Sequence, residues 1–242
     1  MNVGAARTVL ARVAAEFGQV IASLEALRRS FGLIAAGPDP ASTDPAARDH
    51  LAALQPQIHS LLARHRGLVA GAGVVTAPGL LADAEYWLEW WWSPAGTAEP
   101  GRLRVNLDPG SPDFFDYPAE DWFATPRDTG RPHVSGPSVD YACTSEYALT
   151  IALPVTAGDR FAGVAAADVL VSSLEERVLP RLRGLSPSCV LATGQGRVVA
   201  SASPRYAPGL RAAPAAQRVT LPSGKTGTPG FALDWQLLDG HD

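Results

Sequence analysis

Positive charge is scarce in this sequence of 242 residues, and lysine is almost absent. Lys225 is the single lysine, no block of basic residues occurs, and the formal net charge is −4. Affinity for phosphate backbones needs clustered arginine or lysine side chains. The composition therefore argues against a nucleic acid as partner.

Cysteine is also rare. The two cysteines, Cys143 and Cys189, match no zinc-ligand spacing. The five histidines show no metal-ligand spacing either. Buried thiols explain the cysteines better than a disulfide framework does. We accordingly expect neither a metal nor a cofactor.

Long apolar runs are missing as well. No segment approaches the roughly 20 apolar residues that span a bilayer. Arg7, Arg12 and Glu16 interrupt the region that a signal peptide would keep apolar. The sequence thus predicts a soluble, cytoplasmic protein without a membrane partner.

The sequence contains no recognisable enzyme motif. Ser223-Gly-Lys-Thr226 resembles the end of a phosphate-binding loop, but Val219 occupies the position of its first glycine. No Gly-x-Ser-x-Gly nucleophile motif is present. We therefore expect no catalytic residues, with an enzyme of unrecognised site as the remaining alternative.

Helical periodicity dominates the beginning of the chain. Residues 5–34 read as one long helix with a heptad seam of apolar side chains: Leu10, Val13, Phe17, Val20, Leu24, Leu27 and Phe31. The seam fits either a homodimer interface or packing on the chain's own second helix. That second helix is predicted over 46–65, with Pro56 kinking it or limiting its first half.

Strand patterns follow from residue 67 onward. Ser111-Pro112 is expected to open a helix, a second helix is expected from Pro118, and a further helix over 172–182. The fold class is therefore α+β, with a helical hairpin at 1–66, a sheet lobe at 67–171, and a connecting helix with a smaller β-rich lobe at 172–242. A hairpin about Gly194-Gln-Gly196 is expected over 189–200, and strands are expected at 68–77, 86–92, 102–107, 132–143, 146–156, 160–169, 218–221 and 231–238.

The run from Asp113 to Phe123 places aromatic side chains beside carboxylates. Aromatic faces and fixed negative charge suit a cationic or zwitterionic small molecule, held by ion pairing and cation–π contact. The same run also fits an amphipathic helix with its aromatics in the core and its acids in solvent.

Three short stretches resemble motifs of the Cache family of PAS-like sensor domains. Asp121-Trp-Phe123 is similar to the Trp-Tyr pair of its amino-acid-binding branch, with Phe in place of Tyr. Gly136 to Asp140 and Gly163 to Asp168 look like the segments that supply the two amine-binding aspartates of that motif. The resemblance covers residues 68–170 well and implies a ligand-binding sensor domain of α+β fold, with its downstream partner undefined.

One departure from the family changes the expected ligand. The amino-acid binders carry an arginine for the ligand carboxylate two residues before the tryptophan, and here that residue is Glu120. Reversed charge favours an amine over a carboxylate. Arg127 or Arg131 remains an alternative grip for a small carboxylate. The predicted amine site comprises Phe115, Tyr117, Glu120, Trp122, Phe123, Asp140, Tyr141 and Asp168.

Overall fold

The computed structural model describes residues 1–37, 46–93, 99–142, 145, 147–213, 215, 217–220 and 233–239. Cys143, Lys225 and the stretch 223–226 lie outside these residues. The helices are α1 Val3–Ala36, α2 Arg48–Ala52, α3 Gln55–Arg64, α4 Asp121–Thr129 and α5 Val171–Leu185.

The apolar seam of α1 is buried within the chain itself. All seven of its side chains are at most 2% exposed. The helix packs mainly on the central strands of the larger sheet, and Phe17 also makes an edge-to-face contact with Trp235, with ring centroids 4.9 Å apart. The seam therefore serves packing on the sheets more than on the second helix. Because it is covered, it offers no surface for a dimer.

The second helical region is divided as its proline predicts. α2 ends at Ala52, and α3 begins at Gln55 with Pro56 in its first turn. Proline lacks an amide hydrogen and is tolerated in the first turn, where that hydrogen has no helical acceptor. Pro56 thus marks the start of a new helix.

The larger sheet has six antiparallel strands in the order β3-β2-β1-β6-β5-β4. β1 and β6 consist mainly of small and branched residues, and both strands are buried on both faces. This burial is expected for strands at the centre of a sheet. The partner strand expected at 102–107 is reduced to two residues. The strands are β1 Val69–Thr76, β2 Leu88–Trp92, β3 Gly101–Arg102, β4 His133–Val139, β5 Tyr147–Ala157 and β6 Arg160–Leu170.

A second antiparallel sheet follows α5, in the order β8-β7-β10-β9. It consists of β7 Cys189–Ala192, β8 Val198–Ser201, β9 Gln217–Thr220 and β10 Gln236–Asp239. The α+β class is thereby confirmed. One apolar core includes residues of α1 and of both sheets, and the division of the chain at residues 66 and 171 stays a prediction.

The helix expected from Ser111 does not form. The Ser111 hydroxyl accepts hydrogen bonds from Asn106 Nδ2 at 2.7 Å and from the Asp113 amide at 3.3 Å. Such local side-chain bonds offer a turn as an alternative to a helix. A short 3₁₀ turn, Tyr117–Ala119, then leads into α4 at Asp121.

Candidate functional site

A cavity of about 590 Å³ lies over one face of the six-stranded sheet. Val75, Leu88, Trp90, Thr150 and Asp168 contribute to it from four neighbouring strands. In the register of the sheet, Asp168 stands directly between Gly71 on one side and Thr150 on the other. The sheet therefore supplies an apolar floor with a single carboxylate.

The other walls come from three parts of the chain. Phe115 and Glu120 belong to the segment that leads into α4, and Trp122 lies in the first turn of that helix. The loop after β4 adds Asp140 and Tyr141, and the turn before β8 adds Arg197. The cavity thus lies where the larger sheet, α4 and the second sheet meet.

Asp168 is the most buried charged group of the cavity, with 7% of its surface exposed. Its Oδ1 accepts a hydrogen bond from the Thr150 hydroxyl at 2.7 Å. Burial, and next the negative charge of Asp140, raise the pKa of Asp168 to about 7 against the opposing effect of that hydrogen bond. A carboxylate in this situation is stabilised by an added positive charge.

Asp140 is the second carboxylate of the cavity and follows β4. Its Oδ1 accepts a hydrogen bond from the Ala142 amide at 3.1 Å, and its carbonyl accepts one from the Ser145 amide at 2.7 Å. Exposed Glu120 lines the same cavity. These interactions hold Asp140 in a turn that keeps it near Asp168.

Six of the eight residues selected from the sequence line the cavity. They are Phe115, Glu120, Trp122, Asp140, Tyr141 and Asp168. Tyr141 stands at the mouth, since 86% of its surface is exposed. Glu120 and Asp168 therefore line the same cavity, although they are 48 positions apart in the sequence.

Tyr117 and Phe123 do not line the cavity, because both are fully buried beside it. Their rings meet edge to face with centroids 5.1 Å apart. The Tyr117 hydroxyl donates to the Thr76 carbonyl at 2.8 Å, and burial raises its pKa to about 12. Both side chains pack in the core beside the cavity, and this position does not support their expected role as ligand contacts, which stays a prediction.

Arg127 and Arg131 also lie outside the cavity lining. Arg127 Nε donates to Asp128 Oδ1 at 2.7 Å, and its Nη1 donates to the Pro118 carbonyl. Arg131 is exposed just after α4. These two arginines therefore do not contribute to this cavity the carboxylate-binding group that was expected of them.

Arg197 is a lining residue that the sequence did not reveal. It lies in the turn between β7 and β8, a stretch that sequence patterns identify simply as a hairpin turn. Its Nη1 donates to the Gly209 carbonyl at 3.1 Å. Thr150 and Trp90 were missed as well, although the position of Thr150 as the one polar residue in the apolar run 148–155 was a usable signal.

The described part of the chain offers neither a metal site nor a membrane-spanning helix. No cluster of three or more His, Cys, Asp or Glu side chains there could hold a metal ion. No described helix is long and apolar enough to cross a membrane.

No family model and no curated protein matches the sequence, but its structure resembles several solved sensor domains. Methyl-accepting Chemotaxis protein X superposes with a TM-score of 0.66 at 16% identity, over 98% of this chain and 96% of that chain. The extracellular domain assigned to the histidine kinase soHK1S-Z6 superposes with a TM-score of 0.58 at 17% identity, over 83% of this chain and 67% of that chain. The ligand-binding domain of Campylobacter jejuni chemoreceptor Tlp3, solved in complex with L-valine, superposes with a TM-score of 0.53 at 13% identity, over 88% of this chain and 76% of that chain.

These similarities show that the chain has the fold of chemoreceptor and histidine-kinase sensor domains. The fold implied by the sequence motifs is therefore confirmed. The histidine-kinase domain is named as extracellular, which conflicts with the cytoplasmic location expected from the sequence. The compartment stays a prediction.

Proposed function

We propose that this chain, whose fold is that of Cache-type sensor domains, is a sensor domain that binds a small amine-bearing molecule in the cavity over its larger sheet. The observation that carries the proposal is the buried carboxylate of Asp168 on the cavity floor, with Asp140 beside it. In this proposal the chain catalyses no reaction, and it passes the binding signal to a partner of undefined identity.

The chemistry of the two carboxylates fits an ammonium group. An ammonium has three N–H donors and no acceptor, while an ionised carboxylate only accepts. Asp168 and Asp140 together offer enough acceptors, and charge-assisted bonds are about twice as strong as neutral ones. An ammonium would also remove the repulsion between the two acids, which contributes to the raised pKa of Asp168.

The walls of the cavity suit the rest of such a ligand. Phe115, Trp122 and Trp90 give aromatic surfaces, and an aromatic face attracts a desolvated cation by roughly 0.5–2 kcal/mol. A volume of about 590 Å³ falls within the range of about 300–1,000 Å³ that is usual for small-molecule sites. Amines and amino acids are therefore the ligand classes to screen first.

The experiment that tests this proposal replaces Asp168 by Asn. Calorimetry on a panel of amines, amino acids and short carboxylates identifies ligands of the unmodified protein. Asp168→Asn should then weaken amine binding by roughly 2–5 kcal/mol, because one partner of a buried charged pair is lost. Asn keeps the size of the side chain and can still accept the Thr150 hydrogen bond.

A matched control is Asp159→Asn. Asp159 lies in the exposed turn between β5 and β6, so the same change in charge occurs away from the cavity. Its affinity for amines should equal that of the unmodified protein. A screen in which only carboxylic acids release heat, or an Asp168→Asn variant with amine affinity within a factor of about two, would refute the amine proposal.

A further inference from the structure

Among the described residues that line the cavity, Arg197 is the one that carries a permanent positive charge. Three carboxylates share the cavity with it: Glu120, Asp140 and Asp168. Yet Arg197 lies in the turn between β7 and β8 of the second sheet, whereas the three acids belong to the larger sheet and the segments that connect its strands. Among the described lining residues, three carboxylates therefore share the cavity with one positive group, which another part of the fold contributes.

The position of Arg197 is fixed by its surroundings. The loop after β8 returns over the hairpin, where the Val198 amide donates to the Leu210 carbonyl and the Gly209 amide donates to the Val198 carbonyl, both at 2.8 Å. The Arg197 side chain adds its own bond to the Gly209 carbonyl. That bond uses one of the five N–H donors of the guanidinium. Bidentate binding of an anion needs two donors, so the side chain keeps enough of them to bind a carboxylate.

The structure also places Arg197 away from Asp168 along the sheet. Gly209 abuts the ring of Tyr147, since a Cβ atom on Gly209 would lie 2.8 Å from Tyr147 Cε1. Tyr147 begins β5, three residues before Thr150, which is paired with Asp168. Three strand residues span about 10 Å. The two backbone positions of β5 that lie beside Gly209 and beside Asp168 are thus separated by a distance of that order.

We propose that the ligand is an extended zwitterion, whose ammonium binds Asp168 and whose carboxylate binds Arg197. This inference rests on the proposed amine-binding function and adds the second half of the ligand. An α-amino acid carries both charged groups on one carbon atom and cannot reach both ends. A molecule with several atoms between its charges, such as an ω-amino acid or a short peptide, can.

The test uses two series of probes measured by calorimetry. One series is the straight-chain ω-amino acids from glycine to aminooctanoate, and the other is the alkylamines of the same lengths without the carboxylate. In the unmodified protein, the carboxylate should improve affinity by about tenfold in the longer members and not in glycine. Arg197→Gln should abolish this gain, and it should not weaken the binding of the plain amines, because it removes a positive charge from their surroundings.

Arg211→Gln provides the matched control. Arg211 faces Arg197 across an isolated backbone bridge, donates to the Gln195 carbonyl, and does not line the cavity. Its variant should keep the full gain from the carboxylate. Arg197→Lys keeps the charge without the planar fork and should keep part of it. Melting temperatures of all three variants show whether each one folds.

If folded Arg197→Gln binds every probe as the unmodified protein does, the role of Arg197 is overturned while amine binding by Asp168 stands. If glycine gains as much from its carboxylate as aminooctanoate does, the extended shape of the ligand is overturned. If no amine binds the unmodified protein, the proposed function itself fails, and this inference fails with it.

Discussion

At the residue scale, Asp168 links the ligand cavity to the stability of the protein. Its pKa is about 7 in the folded chain because of burial and the nearby charge of Asp140, against an ordinary value near 3.9. Between these two values the folded state holds a proton that the unfolded state has released. Stability from this group is therefore fully present below about pH 4 and is lost as the pH rises towards 7.

This loss of stability with rising pH leads to a prediction about Asp168→Asn in the absence of ligand. Asn stays neutral, so the variant escapes the cost of a buried charge. Its melting temperature, relative to that of the unmodified protein, should rise between pH 4 and pH 7 and level off above pH 7. Thermal unfolding followed by circular dichroism over this range measures it. A difference that does not change with pH would show that Asp168 titrates with an ordinary pKa.

At the element scale, the packing of β2 on β1 sets the floor of the cavity. The indole of Trp90 lies over Gly71, where an added Cβ atom would stand 2.8 Å from Trp90 Nε1. The opposite face of β2 is held differently, because Trp91 Nε1 and Arg102 Nη2 both donate to the buried carboxylate of Glu89. Trp90 depends on the missing side chain of Gly71 for its place.

We therefore expect Gly71→Ala to move Trp90 and to disturb the cavity. Overpacking of this kind costs about 1–3 kcal/mol of stability, and the affinity for amines should fall with it. Gly184→Ala is the control, since nothing lies within 4 Å of a Cβ atom at this exposed position of α5. It should be neutral or stabilising by up to about 1 kcal/mol. Urea unfolding and calorimetry measure both variants, and equal effects of the two would contradict this account.

At the scale of the whole molecule, α1 connects the two sheets. Phe17 is fully buried and meets Trp235, which precedes β10 of the second sheet, while other residues of the same seam pack on the larger sheet. The apolar core is continuous from one sheet to the other. Unfolding of one sheet should consequently expose apolar surface of the other.

Phe17→Ala tests this connection. Removing a buried aromatic ring costs about 3–5 kcal/mol, and both sheets should lose protection from hydrogen exchange together. Leu33→Ala changes a residue of the same helix that is 75% exposed and should shift stability by no more than about 0.5 kcal/mol. Exchange that increases in one sheet alone would indicate that the two sheets unfold independently.

The sequence by itself determined the elements and part of the site. The seam of α1, the break at Pro56 and the strands of the larger sheet follow from periodicity and from the backbone limits of proline, which act over a few residues. Asp140 and Asp168 were identifiable because the segments that carry them, Gly136 to Asp140 and Gly163 to Asp168, resemble motifs of the Cache family. These signals are local, so no knowledge of the distant chain was needed.

The tertiary structure decided which side chains face the cavity and which fill the core. Tyr117 and Phe123 resemble Phe115 and Trp122 in the sequence, yet the first two pack inward and the second two line the cavity. Arg197 reaches the cavity only because the second sheet lies beside the first. An aromatic or a charged residue has the same local pattern in both settings, and the packing of elements that are distant in sequence assigns it to one of them.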